Sequence, residues 1–294
     1  MILSTLDKSR KGGAYEQIPS LVLGQRWTPQ LNSRNMMKVV LCVWIEPYIE
    51  NDLSFCVWPV HTPTTSKEVL TLSASTSPLP YTGNKSCIVN TILSVMPKHT
   101  VYIDPCMGSA KVFFRKPRAE KEILNDYNGD LVNLFRVIQN NEKLAYLLGR
   151  LYLSINGELA FKQNKDRLKG VPNILDDVIE TSQIFYDASW EDIQNAAAFL
   201  ENQVYSFSST GQTFGIARRD MSQRLPRLMS AYNRIRDAII LHRDYKDVIT
   251  YAACPGSFIL LDPPYKGTED MYSKANFDIE QHDILFSFMS EVNQ

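Results

Sequence analysis

The sequence predicts a doubly wound α/β fold, in which helices cover both faces of a mostly parallel sheet. Three observations support this prediction. The apolar run Phe258–Leu261 suits a buried parallel strand, and the two prolines after Asp262 stop it because they cannot donate ladder hydrogen bonds. Thr100–Ile103 is a second short strand, followed directly by a glycine-containing loop. Glu122–Leu124 is a third, and it ends on the pair Asn125-Asp126.

Apolar residues at helical spacing predict helices over Ser86–Met96, Asp130–Leu153 and Trp190–Gln203. Lys111–Phe114 and Glu122–Leu124 are predicted to bracket a strand–turn–strand passage. The order strand, loop, helix, strand and helix is typical of a doubly wound sheet. The stretch 205–215 is rich in serine, threonine, glycine and aromatic residues and is predicted to be a loop.

The pattern divides the chain into four parts. Residues 1–77 carry scattered prolines and a Ser/Thr-rich tract, and are predicted to be an appended or poorly ordered segment of unknown role. Residues 78–153 hold the first half of the α/β pattern, and residues 251–294 hold its second part, which looks incomplete. Residues 154–250 interrupt the alternation of strands and helices, so we expect a mainly helical insertion with a role in recognising a binding partner.

Composition excludes several classes of protein. The chain has 294 residues, 44% of them hydrophobic and 21% charged, which is ordinary for a globular protein in water. Five cysteines and four histidines are scattered without metal-site spacing, so no metal is expected, and a reducing cytoplasm is the simplest setting. No apolar run reaches the length of a membrane span. A net charge of −1 leaves any signal for nucleic acid to local patches.

The run Asp262-Pro263-Pro264-Tyr265 is the most specific chemical signal. Open α/β sheets place their ligands at the carboxyl ends of the strands, and this run follows such a strand. A carboxylate and an aromatic ring held there by two prolines could accept hydrogen bonds from an exocyclic amine and stack on the ring that carries it. An ordinary proline turn is the alternative interpretation.

Two glycine-containing segments indicate where a ligand would bind. Tyr81-Thr82-Gly83-Asn84-Lys85 precedes a helix whose N-terminus and lysine suit a carboxylate, although a surface turn has the same composition. In Asp104-Pro105-Cys106-Met107-Gly108-Ser109 the glycine lets the backbone approach a nucleotide, although a tight strand-to-helix turn is an equal alternative. Asp126 then stands where doubly wound folds hold ribose hydroxyls, while a helix cap or a solvated acid explains it as well.

Basic residues concentrate between positions 218 and 246. This stretch contains eight arginines and lysines but only three aspartates, which gives an excess of five positive charges in a nearly neutral protein. Arginine suits phosphate oxygens and guanine edges, so we predict nucleic-acid binding by this segment. A solvated helix face is the alternative. The candidate DNA-binding residues are Arg218, Arg219, Arg224 and Arg227.

Taken in order, these motifs resemble the D12-class, Dam-like adenine-N6 DNA methyltransferases over residues 78–294. The resemblance implies a Rossmann-like methyltransferase sheet, S-adenosylmethionine as cofactor, double-stranded DNA as substrate and a cognate restriction endonuclease as partner. It implies a cofactor-binding role for Tyr81, Gly83, Lys85, Asp104, Gly108, Ser109, Asp126 and Asp262. It also implies that Asp262, Pro263, Pro264 and Tyr265 form the catalytic corner that holds an adenine flipped out of the duplex, with Tyr272 as a further contact.

The sequence departs from the family pattern at three places. Gly-Ser-Ala at 108–110 stands where the family usually has a second glycine, and Cys106 replaces the usual phenylalanine. The chain ends at Gln294, before the strands that normally follow, so the strand before Asp262 is expected to form an exposed apolar edge. Two alternatives therefore remain: a truncated relative that binds DNA or cofactor without turnover, and the same chemistry on RNA adenines or a glutamine amide.

Overall fold

Six strands form one sheet in the computed structural model, which describes residues 39–43, 55–57, 76–83, 85–176, 189–217, 219–264, 281, 284–285 and 287–288. All of these residues lie in one unit, Met37–Gln294. The strands are β1 (Val39–Val43), β2 (Phe55–Val57), β3 (Val101–Asp104), β4 (Lys121–Asn125), β5 (Ile239–Leu241) and β6 (Ser257–Leu261).

The strand order is β2-β1-β6-β3-β4-β5, and every neighbouring pair is parallel except β1 with β2. Strand β6 therefore lies between β3 and β1, with Leu41 opposite Leu260. The prediction that β6 forms an exposed edge is wrong, because β1, a strand from the first 77 residues, pairs with it. For the same reason the stretches 39–43 and 55–57 are part of the sheet and not of an appended segment.

Eight helices are described. They are α1 (Val89–Val95), α2 (Lys111–Arg115), α3 (Gly129–Gln139), α4 (Asn141–Tyr152), α5 (Glu158–Lys169), α6 (Trp190–Tyr205), α7 (Leu225–Ile235) and α8 (Tyr245–Ala252). In the described part of the chain, none of them combines the length and the apolar character that crossing a membrane requires.

Apolar side chains alternate between the two faces of the sheet. On one face, Tyr102, Phe258 and Leu260 join a large core with helices α1 to α7. On the other face, Ile103 and Ile259 join a smaller core that includes α8. Buried side chains on both faces are what parallel strands under two helical layers require. The predicted doubly wound α/β fold is confirmed.

Two predicted elements are wrong. Lys111–Phe114 is not a strand but part of helix α2, and Val112, Phe113 and Phe114 are buried in it. A short apolar run fits either state, and here packing on the sheet selects the helix. The long helix predicted over Asp130–Leu153 is two helices, because Asn140 adopts an extended conformation and its side chain accepts hydrogen bonds from the backbone N–H groups that begin α4.

The predicted insertion 154–250 contains part of the sheet. Strand β5, within this range, pairs with β4, and α8 packs beneath it. The helix predicted over Trp190–Gln203 is α6, which begins at a capping box made by Ser189 and Asp192. The predicted loop after it holds a short 3₁₀ turn at Phe207–Ser209 and a single bridge between Ser206 and Phe214.

Candidate active site

A cavity of about 280 Å³ opens at the carboxyl ends of β3, β4 and β6. Asp104, Asp126 and Asp262 reach it from these three strands, because Asp104 ends β3 and the other two directly follow β4 and β6. The segment before α1 and the side chains of α5 and α6 form other walls. The site therefore lies where an open parallel sheet places its ligands.

Asp262 forms an ion pair with Lys85. The Lys85 ammonium nitrogen lies 2.5 Å from Asp262 Oδ2 and also donates to the Gly83 carbonyl oxygen at 2.9 Å. The lysine side chain is 7% exposed and the aspartate side chain 20%, so the carboxylate keeps access to the cavity while its cation is buried. Lys85 thus fixes the carboxylate that follows β6.

The glycine loop and Asp126 bind each other through the backbone. Gly108 has a left-handed backbone with φ +47°, and its N–H donates to Asp126 Oδ2 at 2.9 Å. Asp126 Oδ1 accepts from the N–H of Asn128 at 2.9 Å. Burial raises the pKa of Asp126 to about 6, although these backbone N–H groups oppose the rise. The carboxylate is held at the cavity wall beside the loop.

Tyr81 covers the same loop. Its ring edge would lie 3.7 Å from a Cβ atom at Gly108, and its hydroxyl oxygen accepts a hydrogen bond from Asn128 Nδ2 at 3.3 Å. The ring also lies 6.4 Å, between centroids, from Phe199 of α6. Two aromatic side chains and a glycine backbone therefore border one part of the cavity, which suits contact with an aromatic or sugar ring.

Asp104 is almost completely buried, at 2% exposure. Its Oδ2 accepts from the Tyr102 hydroxyl at 2.9 Å, and its Oδ1 has no hydrogen-bond partner among the described residues. Burial raises the pKa of Asp104 to about 8, against the bond from Tyr102, and the charges of Asp262 and Asp126 add to the rise. A cation or a hydrogen-bond donor bound in the cavity would relieve this cost.

The structure brings most of the predicted site residues to this cavity. Its lining includes Tyr81, Gly83, Lys85, Asp104, Gly108, Ser109, Asp126, Asp262, Pro263 and Pro264. Tyr265 and Tyr272 lie outside the described residues, as does Arg218. Arg219, Arg224 and Arg227 do not line it; they line a second cavity. The individual roles predicted for all of these residues remain predictions.

Several cavity residues carried no signal in the sequence. Phe199, Asn202 and Gln203 of α6 and Leu168 of α5 belong to the stretch predicted as an insertion, yet they line the cavity. Lys111 was not recognised as a cavity residue because Lys111–Phe114 was predicted to be a strand. Cys106 packs against the smaller core, and burial raises the pKa of its thiol well above the ordinary value, consistent with a packing residue.

Residues 81–294 match the model of one protein family, described as D12 class N6 adenine-specific DNA methyltransferase. This match covers about three quarters of the chain.

Curated proteins with similar sequences include modification methylase LlaI of Lactococcus lactis subsp. lactis, 21% identical over 76% of this chain and 36% of its own length. Modification methylase StsI of Streptococcus sanguinis is 25% identical over 74% of this chain and 34% of its own length. Type II methyltransferase M.CviBI of Paramecium bursaria Chlorella virus NC1A is 22% identical over 64% of this chain and 68% of its own length. The chain thus spans about a third of the first two relatives.

Proposed function

The chain belongs to the D12 class of N6 adenine-specific DNA methyltransferases, and from this premise we propose that it methylates the N6 amine of an adenine flipped out of a specific DNA duplex. The methyl donor we propose is S-adenosylmethionine. One observation carries the proposal: Asp262, held by Lys85, shares a cavity with the Gly108 loop and Asp126. The same cavity is thus lined by a carboxylate that can accept hydrogen bonds from an amine and by a glycine loop of the kind that binds nucleotides.

The chemistry of the cavity fits this cofactor. S-adenosylmethionine carries a sulfonium and an ammonium, and it supplies a methyl group that is electrophilic. Asp104 has a buried oxygen without a partner among the described residues, and its carboxyl is destabilised as an anion, so a bound cation would stabilise it. Asp126 would accept from ribose hydroxyls, and the absence of a side chain at Gly108 leaves room for close approach of a nucleoside.

The target base would be held by the residues that follow β6. Asp262 and the carbonyl oxygen of Pro263 would accept hydrogen bonds from the two N–H groups of the adenine amine. Such bonds favour a pyramidal nitrogen, whose lone pair is then less delocalised into the purine. Tyr265 would stack on the base and offset the stacking that is lost on flipping. The enzyme would act by positioning and electrostatics, without a covalent intermediate.

The proposal also covers partners. We place the enzyme in the cytoplasm, where its DNA would be, and we propose a cognate restriction endonuclease as the protein whose cutting this methylation blocks. Arg218, Arg219, Arg224 and Arg227 remain the proposed DNA-binding residues. They belong to the segment 154–250 that we propose contributes target recognition, in addition to the sheet strand it contains.

Transfer of a labelled methyl group to duplex DNA, followed by digestion to nucleosides, tests the proposal. We expect N6-methyladenine from the wild-type protein and none from Asp262→Asn, while calorimetry shows that this variant still binds S-adenosylmethionine. Cofactor binding without transfer to any DNA would favour a binding protein without turnover. Label in RNA or in protein, but not in DNA, would assign the chemistry to another substrate.

A further inference from the structure

The fold gathers cations from two distant parts of the sequence onto one surface. Lys111 and Arg115 come from α2, directly after the glycine loop. Arg224 ends a 3₁₀ turn at Met221–Arg224, and Arg227 lies in the first turn of α7. Arg224 and Arg227 line a second cavity together with Arg219, and the charges of Arg227, Arg224 and Arg115 all act on Lys111. We call Lys111, Arg115, Arg224 and Arg227 the basic cluster.

A buried ion network holds the two parts of this cluster together. Glu122 of β4 accepts a hydrogen bond from Lys116, just after α2, at 2.6 Å, and from Arg234 of α7 at 2.8 Å. The guanidinium carbon of Arg234 lies 3.7 Å from the ring centroid of Phe113 of α2. The region of α2 is therefore tied to Arg234, near the C-terminal end of α7, and this link in the packed core holds the two parts of the cluster near each other.

No acidic side chain among the described residues forms an ion pair with the basic cluster. Lys111, Arg224 and Arg227 form no ion pair within the described ranges of the chain. Asp220, the one acid among the described residues that line the second cavity, accepts a hydrogen bond from the N–H of Ser222. Burial lowers the pKa of Lys111 and of Arg224, and the neighbouring arginines lower both further. Cations held near one another in this way are stabilised by a polyanion.

The basic cluster reaches the candidate active site through Lys111. Lys111 lines the cavity of Asp262 and Asp126, while its neighbours Arg224 and Arg227 line the second cavity. We propose that the basic cluster binds backbone phosphates of the DNA strand that carries the target adenine, next to the flipped nucleotide. This inference depends on the proposed function and adds Lys111 and Arg115, which the sequence did not suggest, to the DNA contacts.

The salt dependence of DNA binding tests this assignment. A cation that contacts a phosphate releases a counterion, so its loss makes the negative slope of log affinity against log salt shallower by about one. With a short duplex of mixed sequence, we expect Lys111→Gln and Arg227→Gln each to reduce the magnitude of the slope by about one, and the double variant by about two. Lys111→Arg should keep the wild-type slope, because it keeps the charge.

The control is Lys121→Gln, which removes the same charge from an exposed residue that begins β4, at the opposite end of the strands from the cavity. It should leave slope and transfer unchanged. Calorimetry should show S-adenosylmethionine binding within about twofold of wild type in all variants, and circular dichroism an intact fold. Unchanged slopes in Lys111→Gln and Arg227→Gln, with wild-type methylation of DNA present, would overturn the inference. Weaker cofactor binding in Lys111→Gln with an unchanged slope would overturn it as well. Absence of transfer by the wild type would overturn the proposed function instead.

Discussion

Lys85 and Asp262 form a 2.5 Å ion pair that joins the segment before α1 to the end of β6. The sequence motif Tyr-x-Gly-x-Lys predicted Lys85 as a cofactor ligand. The structure places its ammonium on the carboxylate proposed to hold the target amine. The two motifs, 177 positions apart in the chain, therefore form one unit. We therefore propose that Lys85 is a positioning residue, which orients Asp262 toward the cavity.

Replacement of Lys85 distinguishes a role in binding the cofactor from a role in positioning Asp262. Removing one partner of a charged hydrogen bond costs about 1.5–3 kcal/mol. For Lys85→Gln we therefore expect kcat for methyl transfer to fall roughly 10- to 100-fold, while the Kd for S-adenosylmethionine changes little. Single-turnover transfer and calorimetry measure the two quantities, with Lys121→Gln as the matched control. A large rise in the cofactor Kd with an unchanged kcat would restore the role predicted from the sequence.

The pKa of Asp104, about 8, predicts how stability depends on pH. In the unfolded chain this carboxyl ionises near 3.9, so between about pH 4 and 8 folding takes up a proton. The contribution of the protonated Asp104 to the free energy of unfolding is fully present below the pKa of the unfolded chain. It is lost as the pH rises through 8. Urea denaturation should show wild type losing up to about 1.4 kcal/mol per pH unit relative to Asp104→Asn over this range. A stability difference independent of pH would contradict the raised pKa.

The strand ends could be predicted from the sequence because each carries its own local signal. An acid after a buried apolar run, or a glycine after a strand, identifies the carboxyl edge of a parallel sheet without knowledge of the partner strands. Asp104, Asp126 and Asp262 were found in this way, and the structure gathers them at one cavity.

The elements that the sequence analysis missed are defined by their partners. Strand β5 has three residues and β1 has five, and neither has an end signal, so only pairing with β4 and β6 reveals them. The cavity wall from α6 and the network around Glu122 depend in the same way on contacts between distant segments. Local patterns do not contain that information.

Ala110 stands in the loop where the family usually has a second glycine, and its backbone is left-handed, with φ 52° and ψ 34°. This conformation costs an L-residue about 1–2 kcal/mol, and glycine does not pay it. Ala197 is equally buried but lies inside α6, where glycine costs about 1 kcal/mol. The two Ala→Gly changes remove the same methyl group. We therefore expect Ala197→Gly to be less stable than Ala110→Gly by about 2 kcal/mol in urea denaturation. Equal losses of unfolding free energy in Ala110→Gly and Ala197→Gly would show that the backbone of Ala110 is not strained.

The last prediction concerns β1, which the structure places beside β6. Leu41 lies opposite Leu260 of β6 on one side and Val57 of β2 on the other, so its N–H belongs to an interior ladder. Leu41→Pro removes that donor, and the ring cannot be accommodated in an interior strand. We expect a loss of at least about 1–3 kcal/mol in unfolding free energy, since an acceptor is left unpaired. Because β1 supports β6, the strand that directly precedes Asp262, methyl transfer should fall as well. Leu41→Ala, which keeps the N–H, is the control for the ladder. Equal stability of the proline and alanine variants would show that β1 does not complete the sheet, and β6 would then be the edge that the sequence first indicated.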